Sequence, residues 1–145
     1  MDMKKITGVL TVSPQIHLAD MAAIKAAGFK TIICNRPDGE GTDQPGFTEI
    51  ADAAEAAGLE ACTIPVTPGQ IIDDDVAAFA IALQAGPHPL LAYCRTGTRS
   101  AMLWAFHVAC THATSDILTA TAAAGYDLGD VADRIANGGK VPALG

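Results

Sequence analysis

The chain is short of basic residues, cysteine and aromatics, and each shortage removes a class of protein. Nine Lys or Arg stand against 16 Asp or Glu, a formal net charge of −7. That balance disfavours nucleic acid as a partner, because phosphate-backbone affinity rests on clustered basic side chains. The four cysteines, Cys34, Cys62, Cys94 and Cys110, show no C-x-x-C spacing. Three of them lie inside or at the end of apolar runs, so they read as reduced thiols rather than staples. No run approaches the roughly 18 apolar residues of a bilayer span. The opening "MDMKK" leads into a strand-like segment without a secretion signal, so the expectation is a cytoplasmic protein with no membrane partner. The histidines His17, His88, His107 and His112 share no ligand spacing, and no Gly-rich nucleotide loop is present. Neither a metal nor a cofactor is expected.

What remains is a chain of 145 residues with 50% hydrophobic content, enough core for a single domain spanning 1–145. Short apolar runs alternate with Ala-rich segments of helical period, the pattern of strands joined by helical crossovers. Strands are predicted at Ile6–Val12, Lys30–Cys34, Leu59–Ile64 and Pro89–Tyr93. The fold class is therefore α/β, a parallel sheet of about four to five strands with helices on both faces. Predicted helices run from His17 to Gly28 and from Gly46 to Gly58, each closing on a glycine suited to a left-handed C-terminal residue. In the next, from Asp73, Val76, Phe79, Ala80 and Leu83 share one face, and Asp73 to Asp75 complement the helix dipole as structural residues. The stretch "SAMLWAFHVAC" is apolar on nearly every side and reads as a buried central helix. Two polar-edged helices, Ser115–Ala124 and Leu128–Asn137, follow.

Between the last strand and the buried helix lies "YCRTGTRS", Tyr93 to Ser100. Ligands gather at the carboxyl ends of parallel strands, and the first amides of a helix are unpaired donors that attract anions. A thiol at a helix N-terminus beside arginine ionises more readily than a free one, and the thiolate is the nucleophile. Cys94 is thus the candidate nucleophile. Gly97 lets successive N–H groups of Arg95, Thr96, Thr98 and their neighbours curl around an anion, Arg99 adds a forked, permanently charged donor, and Ser100 is placed to hydrogen-bond the sulfur. The loop "CNRPDGE", Cys34 to Glu40, ends the second strand and is expected on the same edge. Arg36 there would fix the anion or orient an acidic partner. Asp38 is either a proton donor or part of a Pro-Asp-Gly turn, and Glu40 is more readily structural. Cys34 could resolve an oxidised Cys94 but reads first as a core cysteine.

At these residues the sequence resembles the cysteine-dependent phosphatases, whose signature is H-C-x-x-G-x-x-R-[ST]. Here Tyr93 replaces the histidine, and the loop from Cys94 to Arg99 is one residue shorter, a form common in rhodanese-type sulfurtransferases. Over about Thr7 to Ala109, through "NRPDGE", "IPV" and "CRTGTRS", the chain is similar to the bacterial beta-lactamase hydrolase-like, phosphatase-like family of the tyrosine-phosphatase superfold. The resemblance implies a phosphocysteine on Cys94, Arg99 as oxyanion clamp, and a small anionic substrate held by the amides from Arg95 to Ser100. It also implies an aspartate after "IPV", where this chain has Thr67 and Pro68. The missing proton donor implies restricted phosphatase activity, and it leaves transfer of a sulfane sulfur through a Cys94 persulfide as the alternative.

Overall fold

A computed structural model describes residues 2–142. Strands β2 (Leu10–Ser13), β3 (Thr31–Cys34), β4 (Glu60–Thr63) and β5 (Leu90–Tyr93) run parallel, and β1 (Lys4–Lys5) lies antiparallel on β2. The sheet order is β1-β2-β5-β3-β4. Helices α1 (Met21–Ala26), α2 (Phe47–Ala56), α3 (Asp73–Ala85), α4 (Thr98–Val108), α5 (Thr114–Ala123) and α6 (Ala132–Ala136) complete the α/β architecture.

Every residue of β2, β3 and β5 is buried, as a parallel sheet covered on both faces requires. Strand alternation divides the core in two. Leu10, Val12, Ile33, Leu90 and Ala92 pack with Phe79, Leu103, Ile117 and Ile135 of α3 to α6. Ile32, Cys34, Leu91 and Tyr93 pack with Ile24, Ile50 and Ala54 of α1 and α2. Helix α4 is the buried central helix that its sequence predicts, with Arg99 to Phe106 inside except Met102.

The helix predicted at Leu128–Asn137 divides into a 3₁₀ turn, Gly129–Val131, and α6, and two other expected boundaries move for local reasons. The strand predicted at Ile6–Val12 starts only at Leu10, because Thr7 Oγ1 accepts the N–H groups of Val9 and Leu10 at 3.2 and 3.1 Å. Those bonds, with Ile6 N–H on Leu10 O at 2.9 Å, make a turn between β1 and β2. The helix predicted from His17 opens as a 3₁₀ turn, Leu18–Asp20, where Asp20 Oδ2 accepts His17 N–H at 2.8 Å. At α3, Asp75 Oδ2 accepts Ile72 N–H at 3.0 Å and Asp73 Oδ1 accepts Val141 N–H at 2.9 Å, so two of the three aspartates cap and tether. Among the described residues no helix is long and apolar enough to cross a membrane.

The fold serves the site through one consequence of parallelism. Gln15 after β2, Asn35 to Glu40 after β3, Val66 after β4 and Cys94 after β5 all emerge at one edge of the sheet.

Candidate active site

Cys94 is fully buried where β5 hands over to α4. Its N–H reaches Ser13 O at 3.4 Å, prolonging the sheet by one bond. Alternation after Tyr93 turns its side chain to the α4 face. The chain then bends sharply, with Gly97 at φ 96° as the residue before α4, and the Gly97 N–H donates to Cys94 Sγ at 3.0 Å. An amide at the start of the helix thus donates directly to the sulfur. Behind the loop, Tyr126 Oη donates to Thr96 O at 3.2 Å, and a Cβ at residue 97 would collide with that hydroxyl. Gly97→Ala is therefore expected to lower stability by about 1–2 kcal/mol from the left-handed backbone alone, and by more from the overlap. A thermal melt unchanged from wild type would refute this account of the loop.

Arg99, the second residue of α4, points back to the same edge. Its Nη1 donates to Glu40 Oε2 at 2.8 Å and to Val66 O at 2.9 Å, and its Nη2 donates to Glu40 Oε1 at 2.9 Å. Glu40 and Val66 O engage the Nη groups of the guanidinium, which also lies close enough to the Cys94 sulfur to interact with it. Glu40 also accepts from Arg36 Nε at 3.0 Å, while Arg36 Nη1 donates to Gln15 Oε1 at 3.0 Å. The Arg99 and Arg36 side chains are each 8% exposed and that of Glu40 24%, although the Glu40 residue as a whole lies out in its loop. The hydrogen bonds from Arg99, and with them Arg36, outweigh partial burial and hold the Glu40 carboxyl below the usual carboxylate range. Burial opposes the Arg99 charge, but Glu40 and the Cys94 sulfur raise its pKa above the ordinary value.

Several predicted residues take other places. Ser100 Oγ donates to Asn35 Oδ1 at 2.8 Å instead of to the sulfur, because α4 turns it toward the end of β3. Asn35 is fixed in turn by its Nδ2 on Ile64 O at 3.0 Å. Asp38 Oδ1 accepts the N–H of Phe47 at 2.9 Å, the first residue of α2, so its carboxylate caps a helix. Cys34 sits with Tyr93 on the α1 and α2 side of the sheet, opposite α4, and burial pushes its thiol pKa up. It is a buried core cysteine. Arg95 and Thr96 are exposed and Thr98 half-buried, and the two threonine hydroxyls lie 3.0 Å apart.

Gln15, Asn35, Gln44, Val66 and Tyr126 complete the arrangement and were not singled out from sequence. Gln44 braces the "NRPDGE" loop by donating to Pro37 O at 2.9 Å and accepting from the N–H groups of Glu40 and Gly41 at 3.1 and 3.2 Å. Only the adjacency of Gln15 and Asn35 to strand ends could have marked them. Beside Arg99 opens a cavity of about 250 Å³ bounded by Pro68, Gly69, Arg95, Thr96, Thr98 and Met102. It has room for the organic part of a small ester, with hydroxyls and one exposed guanidinium on its wall. Among the described residues no cluster of three His, Cys, Asp or Glu side chains could hold a metal.

This geometry has counterparts in known proteins. The beta-lactamase hydrolase-like protein of Agrobacterium fabrum is 40% identical over 100 residues, which is 69% of this chain and 23% of that protein. The chain thus spans about a quarter of the length of the curated relatives it matches. A phosphatase candidate of Neisseria meningitidis Z2491 superposes with a TM-score of 0.88 at 39% identity, over 95% of this chain and 99% of that one. P. aeruginosa TpbA, solved in complex with pTyr, shares the fold at a TM-score of 0.65 and 15% identity, over 92% of this chain and 87% of its own. The family model for the beta-lactamase hydrolase-like protein, phosphatase-like domain, matches residues 2–111, and the chain belongs to that phosphatase-like family.

Proposed function

We propose that the protein hydrolyses phosphate esters through a phosphocysteine on Cys94. The observation that carries this reading is the Gly97 N–H on Cys94 Sγ, with Arg99, two residues further on, held by Glu40. The thiolate attacks phosphorus and the bond to the ester oxygen breaks, with its electron pair leaving on that oxygen. Water then attacks phosphorus, the S–P bond breaks and the thiolate returns, with a proton released to solvent. Arg99 and the loop amides of Arg95 to Ser100 carry the charge of the equatorial oxygens. An aryl phosphate is the first substrate to test, since TpbA, of related fold, was solved with pTyr bound. Turnover of p-nitrophenyl phosphate, with Cys94 shielded from iodoacetamide by phosphate, is the expected result. Alkylation indifferent to phosphate would overturn the reading.

Asp38 belongs to the turn in this proposal and donates no proton, since its carboxylate caps α2. Glu40, doubly paired with arginine, does not donate one either. Without an acid worth typically about 100-fold to 10,000-fold, rates should fall steeply from aryl to alkyl phosphates. Asp38→Asn keeps an acceptor for Phe47 N–H and should leave every leaving group within about twofold. Asp38→Ala loses the cap, about 1 kcal/mol of stability, with the leaving-group slope unchanged. A selective loss on alkyl phosphates in Asp38→Asn would instead make Asp38 the acid.

A second reading is favoured by two features, the short loop and the engagement of both carboxylates. In it the Cys94 thiolate attacks the sulfane sulfur of thiosulfate, the S–S bond breaks and sulfite departs. An acceptor thiol or cyanide then takes the sulfur and frees the thiolate. No proton donor is needed for the leaving group. The family and fold favour the phosphatase reading, and parallel assays with an aryl phosphate and with thiosulfate plus cyanide separate the two.

A further inference from the structure

Two largely buried arginines share one carboxylate beside Cys94, in a chain whose net charge is −7. Glu40 alone would neutralise Arg99 one to one and leave the loop with little attraction for an anion beyond its amides. Arg36 changes that count. Its Nε on Glu40 adds a second guanidinium to the same carboxylate, and its Nη1 is spent on Gln15. Asp38 is turned to the start of α2, and Asp43 lines the same surface pocket as Arg36 without an ion pair to it among the described residues. The cluster of Arg99, Glu40 and Arg36 therefore carries one net positive charge, set against the Cys94 sulfur that the proposed chemistry ionises, in a poorly solvated place where charge acts over several ångströms.

We infer that Arg36 is a positioning residue that sets the anion affinity of the Cys94 loop by its charge, through Glu40 and without touching the anion. Glu40 has two tasks: it holds the Arg99 guanidinium in place, and it absorbs one positive charge. Arg36 offsets the second task and leaves the first intact. The inference rests on the loop being an anion site, yet it is the same for phosphoryl and sulfur transfer, so equilibrium binding can test it apart from turnover.

The experiment measures phosphate and sulfate affinity of the full chain by calorimetry and by protection of Cys94 from iodoacetamide, alongside turnover of an aryl phosphate. Arg36→Gln should weaken phosphate by about tenfold. Arg36→Lys, which keeps the charge but not the fork, should stay within about threefold of wild type. Glu40→Gln should bind phosphate at least as tightly as wild type yet turn over far more slowly, because Arg99 keeps one amide acceptor and meets an NH2 donor in place of the second. The double variant Arg36→Gln/Glu40→Gln should recover wild-type affinity and not wild-type turnover. If Arg36→Gln does not fold, Arg36→Lys and Glu40→Gln decide the matter. Weaker binding in Glu40→Gln, or a loss in Arg36→Lys as large as in Arg36→Gln, would overturn the inference. Should the wild type itself bind neither anion, the anion-site reading fails and the inference with it.

Discussion

Cys94→Ser is expected to lose aryl-phosphate turnover by about 10⁴-fold or more, while still binding phosphate. Serine is nearly the same size, so the buried position tolerates it and the Gly97 N–H keeps an acceptor. What disappears is the nucleophile, since a hydroxyl with no base beside it is almost wholly protonated at neutral pH. Losing a nucleophile typically removes most of a site's acceleration, with only the residual effect of binding and oriented dipoles left. Arg99 and the loop amides survive the change, so calorimetry should find phosphate affinity within a few-fold of wild type. Near-wild-type turnover in Cys94→Ser would place the chemistry elsewhere. Parallel loss of binding and melting temperature would say that the thiol serves packing.

Arg99→Lys should cost the second-largest amount, about 100-fold to 1,000-fold in kcat, by analogy with removing one oriented donor from an oxyanion site. Lysine keeps the charge but is a point donor, and it cannot span both Glu40 oxygens and Val66 O while presenting a further edge to the substrate. Freed from its anchor, Glu40 would still be held by Arg36, so the loop should not collapse. The melting temperature is therefore expected to fall by only a few degrees while kcat drops. Turnover within about threefold of wild type would reduce Arg99 to a generic cation.

Much of the fold is legible because local rules and tertiary demands agree here. The apolar tetrapeptides of β3 and β5 read as strands buried on both faces, and the alanine-rich periods between them read as helices. The parallel topology follows from that alternation. The exceptions are local polar contacts that hydrophobic pattern does not report. Thr7 bends the chain before Leu10 through its hydroxyl, and Asp20 winds the start of α1 into a tight turn. β1 is only two residues long and exists by pairing with β2, so its own sequence carries almost no signal.

The candidate site divides along a different line. From sequence alone follow the position of Cys94 between strand and helix, the need for Gly97 at the bend, and the presence of Arg99 one step into α4. Residues a few positions apart on one loop have their mutual placement set by backbone conformation. Sequence also yields the family, because "NRPDGE" and "CRTGTRS" are distinctive strings. Only the tertiary structure assigns the partners. Ser100 bonds Asn35 rather than the sulfur, Asp38 caps α2, and Glu40 bridges Arg99 and Arg36 across 59 and 4 residues of chain. Those choices depend on how β3 and β5 lie side by side and how closely the two loops meet at their ends. Hydrogen bonds and ion pairs act over about 3 Å, and a separation of that size between distant segments is set by packing of the whole core rather than by either segment's own residues.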